Sequence, residues 1–165
     1  MPRVRQQLSL YVDPAASSDI EAVRRRLDPI QSSLILAHVT LCRADELGDL
    51  PAIVQRLERA PAVTLRFGRA EAFSTHGVLL RCIEGAHRFQ ALREAVLGST
   101  MIKPLPPHLT LAHPRNPKAA GNSVEAAWSL PSPLELTFGV VRLIEQIADA
   151  PWRALETFTL VPFLS

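Results

Sequence analysis

His38-Val39-Thr40-Leu41 recurs seventy positions on as His108-Leu109-Thr110-Leu111. Each copy reads as a short strand. Residues i and i+2 of a strand share a face, so His38 and Thr40 project to one side while Val39 and Leu41 project to the other. His108 and Thr110 stand against Leu109 and Leu111 in the same way. Each motif therefore has an apolar face to pack inward and an imidazole–hydroxyl pair to present. Leu65-Arg66-Phe67-Gly68 likewise resembles Leu136-Thr137-Phe138-Gly139, seventy-one positions on. Two matches at nearly one offset predict a duplicated unit of helix, histidine strand, helix and hairpin. A two-fold arrangement of the halves brings the two histidine strands to one cleft. The mixture of antiparallel hairpins and helices makes the class α+β.

Between the motifs the chain is punctuated by fourteen prolines, which sit mostly between periodic segments. Leu8 to Val12 predicts a strand ended by Asp13-Pro14. Ser18-Asp19-Ile20-Glu21 reads as a capping box opening a helix that runs to about Asp28. Ser33 to Cys42 reads as one apolar strand. Asp49 is placed to cap a helix reaching Ala60, with Ile53, Val54 and Leu57 on one face. Val63 to Phe73 and Val78 to Ile83 form an expected hairpin around Ser74-Thr75-His76-Gly77. Ala86 to Leu97 is an expected helix with Phe89, Leu92 and Val96 inward and Gly98 as its stop. Pro107 to His113 is a strand, and Asn122 to Trp128 starts as a short helix. Leu134 to Gln146 and Trp152 to Leu160 complete a second hairpin.

The 165 residues suit one domain, 1–165, that needs no staple to fold. Hydrophobic residues at 47% and charged residues at 21% argue against disorder. The longest apolar runs are under ten residues, short of the roughly 20 that span a bilayer, and Leu8 to Val12 is too short for a signal-peptide core. Cys42 and Cys82 lack CxxC or Cys/His metal spacing, which predicts two reduced thiols in a cytoplasmic protein. A net charge of +2 is too mild to name a general nucleic-acid binder. Sixteen arginines against two lysines permit bidentate phosphate recognition without demanding it.

The paired motifs suit displacement at phosphorus. A neutral imidazole takes a proton and an imidazolium gives one, both near pH 7. An in-line attack needs a base on the entering oxygen and an acid on the leaving oxygen, each worth roughly 10²–10⁴-fold. Threonine hydroxyls can donate to the non-bridging oxygens as charge builds. This scheme calls for no metal and no cofactor. His-Glu-x-x-His spacing, a Gly-x-Ser-x-Gly elbow and a glycine-rich phosphate loop are all missing from the sequence.

With these residues the chain resembles the two-histidine (2H) phosphoesterase superfamily, in its group of 2′-5′ RNA ligase-like and cyclic nucleotide phosphodiesterase proteins. The resemblance runs from the Leu8–Val12 strand to the Trp152–Leu160 strand. It rests on His38-Val39-Thr40-Leu41 and Pro107-His108-Leu109-Thr110-Leu111. It implies a bilobal α+β domain with a V-shaped cleft between two antiparallel sheets. It implies hydrolysis of 2′,3′-cyclic phosphate ends of nucleotides or RNA, usually to a 2′-phosphate, with reversible 2′-5′ ligation in some members. His38 and His108 are then the acid–base pair, in an order the sequence leaves open, and Thr40 and Thr110 hold the phosphate. ADP-ribose cyclic phosphate is an alternative substrate. A binding module without turnover and a two-histidine metal hydrolase are the alternatives of other kinds; no third metal ligand stands near either histidine. A monomer is expected, because one chain forms the cleft.

Neighbouring residues extend the expectation. Arg43 and Arg115 follow the two motifs, where a basic side chain suits a phosphate or a base edge. Relatives often carry a basic residue soon after the second motif, which favours Arg115. Tyr11 ends the first strand and is an expected stacking partner for a base. Phe73 and Gln146 are expected on the cleft rim. His113 has odd parity, so it is expected to face away from His108. Cys42 is expected on the face of His38, and His76 and His87 at the surface.

Overall fold

The computed structural model describes residues 1–116, 119 and 123–162. Two antiparallel sheets carry the chain, as the α+β reading requires. The first has the order β2-β1-β8-β9, from β1 (Val4–Tyr11), β2 (His38–Cys42), β8 (Val140–Ile147) and β9 (Arg153–Thr159). The second runs β4-β5-β3-β7, with β6 also paired to β5. Its strands are β3 (Val63–Phe67), β4 (Glu71–Phe73), β5 (Gly77–Glu84), β6 (His108–Ala112) and β7 (Leu134–Phe138). β3 and β4 share one edge of β5 and β6 takes the other: the Gly68 amide bonds the Arg81 carbonyl, while the Cys82 amide bonds the Pro107 carbonyl. The two histidine strands thus each border one sheet.

Among the described residues four α-helices cover the sheets: α1 (Pro14–Leu27), α2 (Pro29–Leu34), α3 (Leu50–Leu57) and α4 (Ala86–Leu97). α1 starts four residues ahead of the Ser18 box. Asp13 accepts the Ala15 amide at 2.8 Å, and Pro14 stands where a helix needs no donor. Asp28 ends α1 and caps α2 by accepting the Gln31 amide at 2.9 Å, with Pro29 next. The apolar stretch from Ser33 is therefore the end of α2, a short link and β2, not one long strand. Asp49 caps α3 as expected, accepting the Ala52 amide at 3.2 Å, although the helix stops at Leu57. α4 matches its prediction and ends at Gly98, whose φ of +69° is one that glycine adopts without strain. The segment Val63 to Phe73 breaks at Gly68 into β3 and β4. A 3₁₀ turn over Val124–Ser129 replaces the short helix, and Asn122 lies outside the described residues.

Leucines, valines and phenylalanines of both sheets form one core. Leu8, Leu10, Val39, Leu41, Leu65, Phe67, Leu109 and Phe138 are all fully shielded. The helices add Ile20, Leu27, Leu57, Phe89 and Val96 to it. The Leu65 and Leu136 segments are not counterparts in two separate sheets. They are hydrogen-bonded neighbours in the second sheet, with Leu65 opposite Leu136 and the Thr64 and Thr137 hydroxyls 2.8 Å apart. Their likeness reflects a shared demand for alternating core and surface side chains on adjacent strands. No helix is long and apolar enough to cross a membrane among the described residues.

Candidate active site

β2 and β6 pack against one another where the sheets meet, and they carry the same burial rhythm. In each, the histidine and threonine are half-buried while the two leucine-type positions are sealed. His38, Thr40, His108 and Thr110 line one cavity of about 220 Å³ between the sheets. The apolar face of each strand buys this placement, because turning the histidine inward would expose two core residues.

Both imidazoles are oriented by the backbone two residues upstream. His38 Nδ1 lies 2.8 Å from the Leu36 carbonyl, and His108 Nδ1 lies 3.1 Å from the Pro106 carbonyl. A carbonyl only accepts, so Nδ1 carries the proton in both rings. Nε2 is left as the nitrogen for chemistry. Burial pushes the His38 pKa from 6.5 to about 4, helped by the nearby Arg24 and His108 and opposed by the Leu36 carbonyl. At neutral pH His38 is therefore an unprotonated imidazole with a free Nε2 lone pair. Thr40 is also steered: Gln7 Nε2 donates to Ser9 Oγ at 2.9 Å and reaches Thr40 Oγ1 at 3.5 Å. That contact uses a lone pair of the hydroxyl and leaves its hydrogen to point elsewhere.

The cavity is rimmed by cations. Arg5, Arg24 and Arg115 line it together with Trp152. Arg24 is spent on structure, donating to Glu21 at 2.9 Å and to the Ile35 carbonyl at 2.8 Å. Arg5 donates to Gln146 and lies 5.2 Å from the centre of the Trp152 ring. Burial lowers the Arg5 pKa, and the positive charges of Arg3 and Arg115 lower it further. Arg5 and Arg115 thus concentrate positive charge at one end of the cleft. Among the described residues no cluster of three His, Cys, Asp or Glu side chains could hold a metal.

Several expected neighbours sit elsewhere. Arg43 does not line the cavity; its guanidinium is 3.7 Å from Glu46 and 4.0 Å from Asp45, in the turn that follows β2. Tyr11 stands opposite His38 with ring centres 6.1 Å apart, but it borders an adjoining cavity rather than this one. Gln146 lies buried behind Arg5, and Phe73 is absent from the lining. His113 does line the cavity, against its strand parity. Leu111 and Ala112 are both buried, so alternation ends with the strand, and the Asp28 carboxylate takes the His113 amide at 2.9 Å. Burial and the Arg115 charge lower the His113 pKa, against the opposing Asp28. Cys42 is sealed in the core for the matching reason at the end of β2. His87 is exposed as expected, and His76 is half-buried. Arg5 and Gln7 went unread because they precede the apolar run of β1. Their spacing of two was the available signal. Trp152, expected as the first residue of the last strand, lies one residue ahead of β9 and lines the cavity from there.

His38 and His108, each beside a threonine on a strand that borders one sheet, thus line a single cleft. Residues 12–150 match the 2′-5′ RNA ligase superfamily, and the chain belongs to that family. Solved structures of LigT from E. coli share the fold. The complex with NADP+ aligns with a TM-score of 0.61 at 17% identity, covering 97% of this chain and 99% of that one. The complex with phosphate gives 0.61 at 17% identity, covering 97% and 98%. The complex with 3′-AMP gives 0.59 at 18% identity, covering 98% and 99%. No curated protein sequence matches this chain.

Proposed function

We propose that this chain hydrolyses 2′,3′-cyclic phosphate ends of nucleotides or RNA and leaves a 2′-phosphate. One observation carries the reading: both rings are anchored through Nδ1 to a backbone carbonyl, so two Nε2 atoms and two threonine hydroxyls serve a single cavity. The cyclic phosphate lies between the imidazoles. His38, neutral at pH 7, takes a proton from water as its oxygen bonds phosphorus. His108 gives a proton to O3′ of the ribose as the P–O3′ bond breaks. Thr40 and Thr110 donate to the non-bridging oxygens, and Arg5 and Arg115 offset the charge that gathers there. No step calls on a metal. LigT has been crystallised with phosphate and with 3′-AMP, which supports a phosphorylated nucleotide as ligand.

The test is product analysis after incubation with 2′,3′-cyclic nucleotides and excess chelator. A 2′-phosphate should accumulate. His38→Ala and His108→Ala should each lower kcat by roughly 10²–10⁴-fold. Full turnover in both single variants, or turnover abolished by chelator, would overturn the assignment.

A further inference from the structure

Beside the histidine cleft lies a second, larger cavity of about 380 Å³. Strand register ties the two together. Tyr11 stands opposite His38, Ser9 opposite Thr40, and Arg142 opposite Ser9. Paired residues project to the same side of a sheet, so His38, Thr40, Tyr11 and Arg142 share one face. Leu36 and Ala37, which lead into His38, form a wall of the second cavity. From β2 to β8 is two interstrand steps of roughly 4.8 Å each. An arginine side chain can cover most of that span.

The chemistry of the cavity is specific. Among the described residues Arg142 pairs with no carboxylate; its guanidinium lies 4.8 Å from the centre of the Tyr11 ring. Glu21, also in the wall, is committed to Arg24 and to the Ala37 amide. Asp13 spends Oδ1 on the Ala15 amide and keeps Oδ2. The Ser17 hydroxyl donates to the Pro14 carbonyl and keeps its lone pairs. Val12, Leu36 and Val140 supply apolar wall. An unpaired cation suits a phosphate, apolar walls suit an aromatic ring, and free acceptors suit its amino edge. A nucleotide carries all three. An inorganic phosphate would leave the walls unused, and a fatty acid would leave the acceptors unused.

We propose that this cavity is the subsite for the penultimate nucleotide, on the 5′ side of the one that carries the cyclic phosphate, so that the substrate is an RNA end of at least two nucleotides. The proposal rests on the phosphodiesterase reading above. It is tested by comparing a dinucleotide ending in a 2′,3′-cyclic phosphate with the corresponding cyclic mononucleotide. Wild type should favour the dinucleotide by about tenfold or more in kcat/KM, the scale of one charge-assisted contact. Arg142→Ala should reduce that ratio about tenfold, and Arg142→Lys should restore part of it. A wild-type ratio near one, or an equal fall for both substrates in Arg142→Ala, would overturn the subsite. A binding titration separates this from failure of the chemistry. Should neither substrate turn over, the phosphodiesterase reading falls. Tighter Arg142-dependent binding of a 3′-phosphorylated dinucleotide than of a 3′-mononucleotide would still support the subsite, and equal affinities would overturn it.

Discussion

Replacing Arg93 with methionine should cost this protein much of its stability. Arg93 lies on α4 with no exposed side-chain surface. It donates to both Glu46 oxygens, at 3.1 and 2.7 Å, to the Lys103 carbonyl at 3.0 Å, and to the Leu41 carbonyl in β2. Methionine keeps most of the volume but none of the donors. It leaves the Glu46 carboxylate and two carbonyls short of partners. Breaking a buried ion pair from one side costs roughly 3–5 kcal/mol. In a chain of this size each kcal/mol moves Tm by about 2–4 °C, so the melting temperature should fall by roughly 6–20 °C. Glu46 supplies the internal control. Burial raises its pKa, but the Arg93 hydrogen bonds, the Arg43 amide and the charges of both arginines outweigh this and hold it below 4.5. A depressed carboxyl stabilises fully above its unfolded pKa and loses that contribution as pH falls through its folded value. Acid should therefore weaken wild type across that window more than it weakens Arg93→Met. Adding Glu46→Gln to Arg93→Met should cost less than the sum of the single changes, by about 1–3 kcal/mol. Thermal and urea melts of the four proteins test this. A single variant within about 2 °C of wild type, or strictly additive effects, would refute the reasoning.

Two further outcomes follow from groups nearer the cleft. The acid limb of the kcat/KM profile should fall near pH 4, the His38 value, and not near 6.5. The same shift makes stability fall as pH drops from 6.5 towards 4, because the unfolded imidazole takes its proton first; a limb at 6.5 in a pH–rate series would contradict this. Asp28→Ala removes the α2 cap and strands the His113 amide and the Asn116 side chain. It should cost about 2–4 kcal/mol and lower kcat/KM by releasing the segment that holds His113 and Arg115. An unchanged melting curve would show that the cap is dispensable.

The sequence carried the site further than it carried the surroundings. His38, Thr40, His108 and Thr110 were legible because each motif sets its own faces by alternation alone, and the repetition made the pair specific. Helix ends at Asp49 and Gly98 were legible because one side chain or one backbone angle decides them. His113 and Cys42 were misread because parity holds only while a strand stays regular. Both histidine strands end in two consecutive buried residues, and both partner strands shift register nearby, at Leu8/Ser9 and Val78/Leu79. Arg43 was misplaced because its acidic partners lie in a turn that no period announces. Asp28 joins α2 to Asn116 across 88 positions, and Arg93 joins α4 to Glu46 across 47. Long-range polar partners of this kind leave no local pattern.

The order of the first sheet sets a constraint in time. β1 lies between β2 and β8, with Val4 opposite Ile147, so its second edge is satisfied only by residues made some 140 positions later. Only Gly139 separates β7, in the second sheet, from β8, in the first. A nascent chain emerging from the ribosome can pair β1 with β2 early. It then has to keep the other edge of β1 open while the whole second sheet is synthesised. Closing so long a loop is slow, and an open edge invites pairing with other chains. Synthesis of this protein is thus a period of exposure that ends only when β8 arrives.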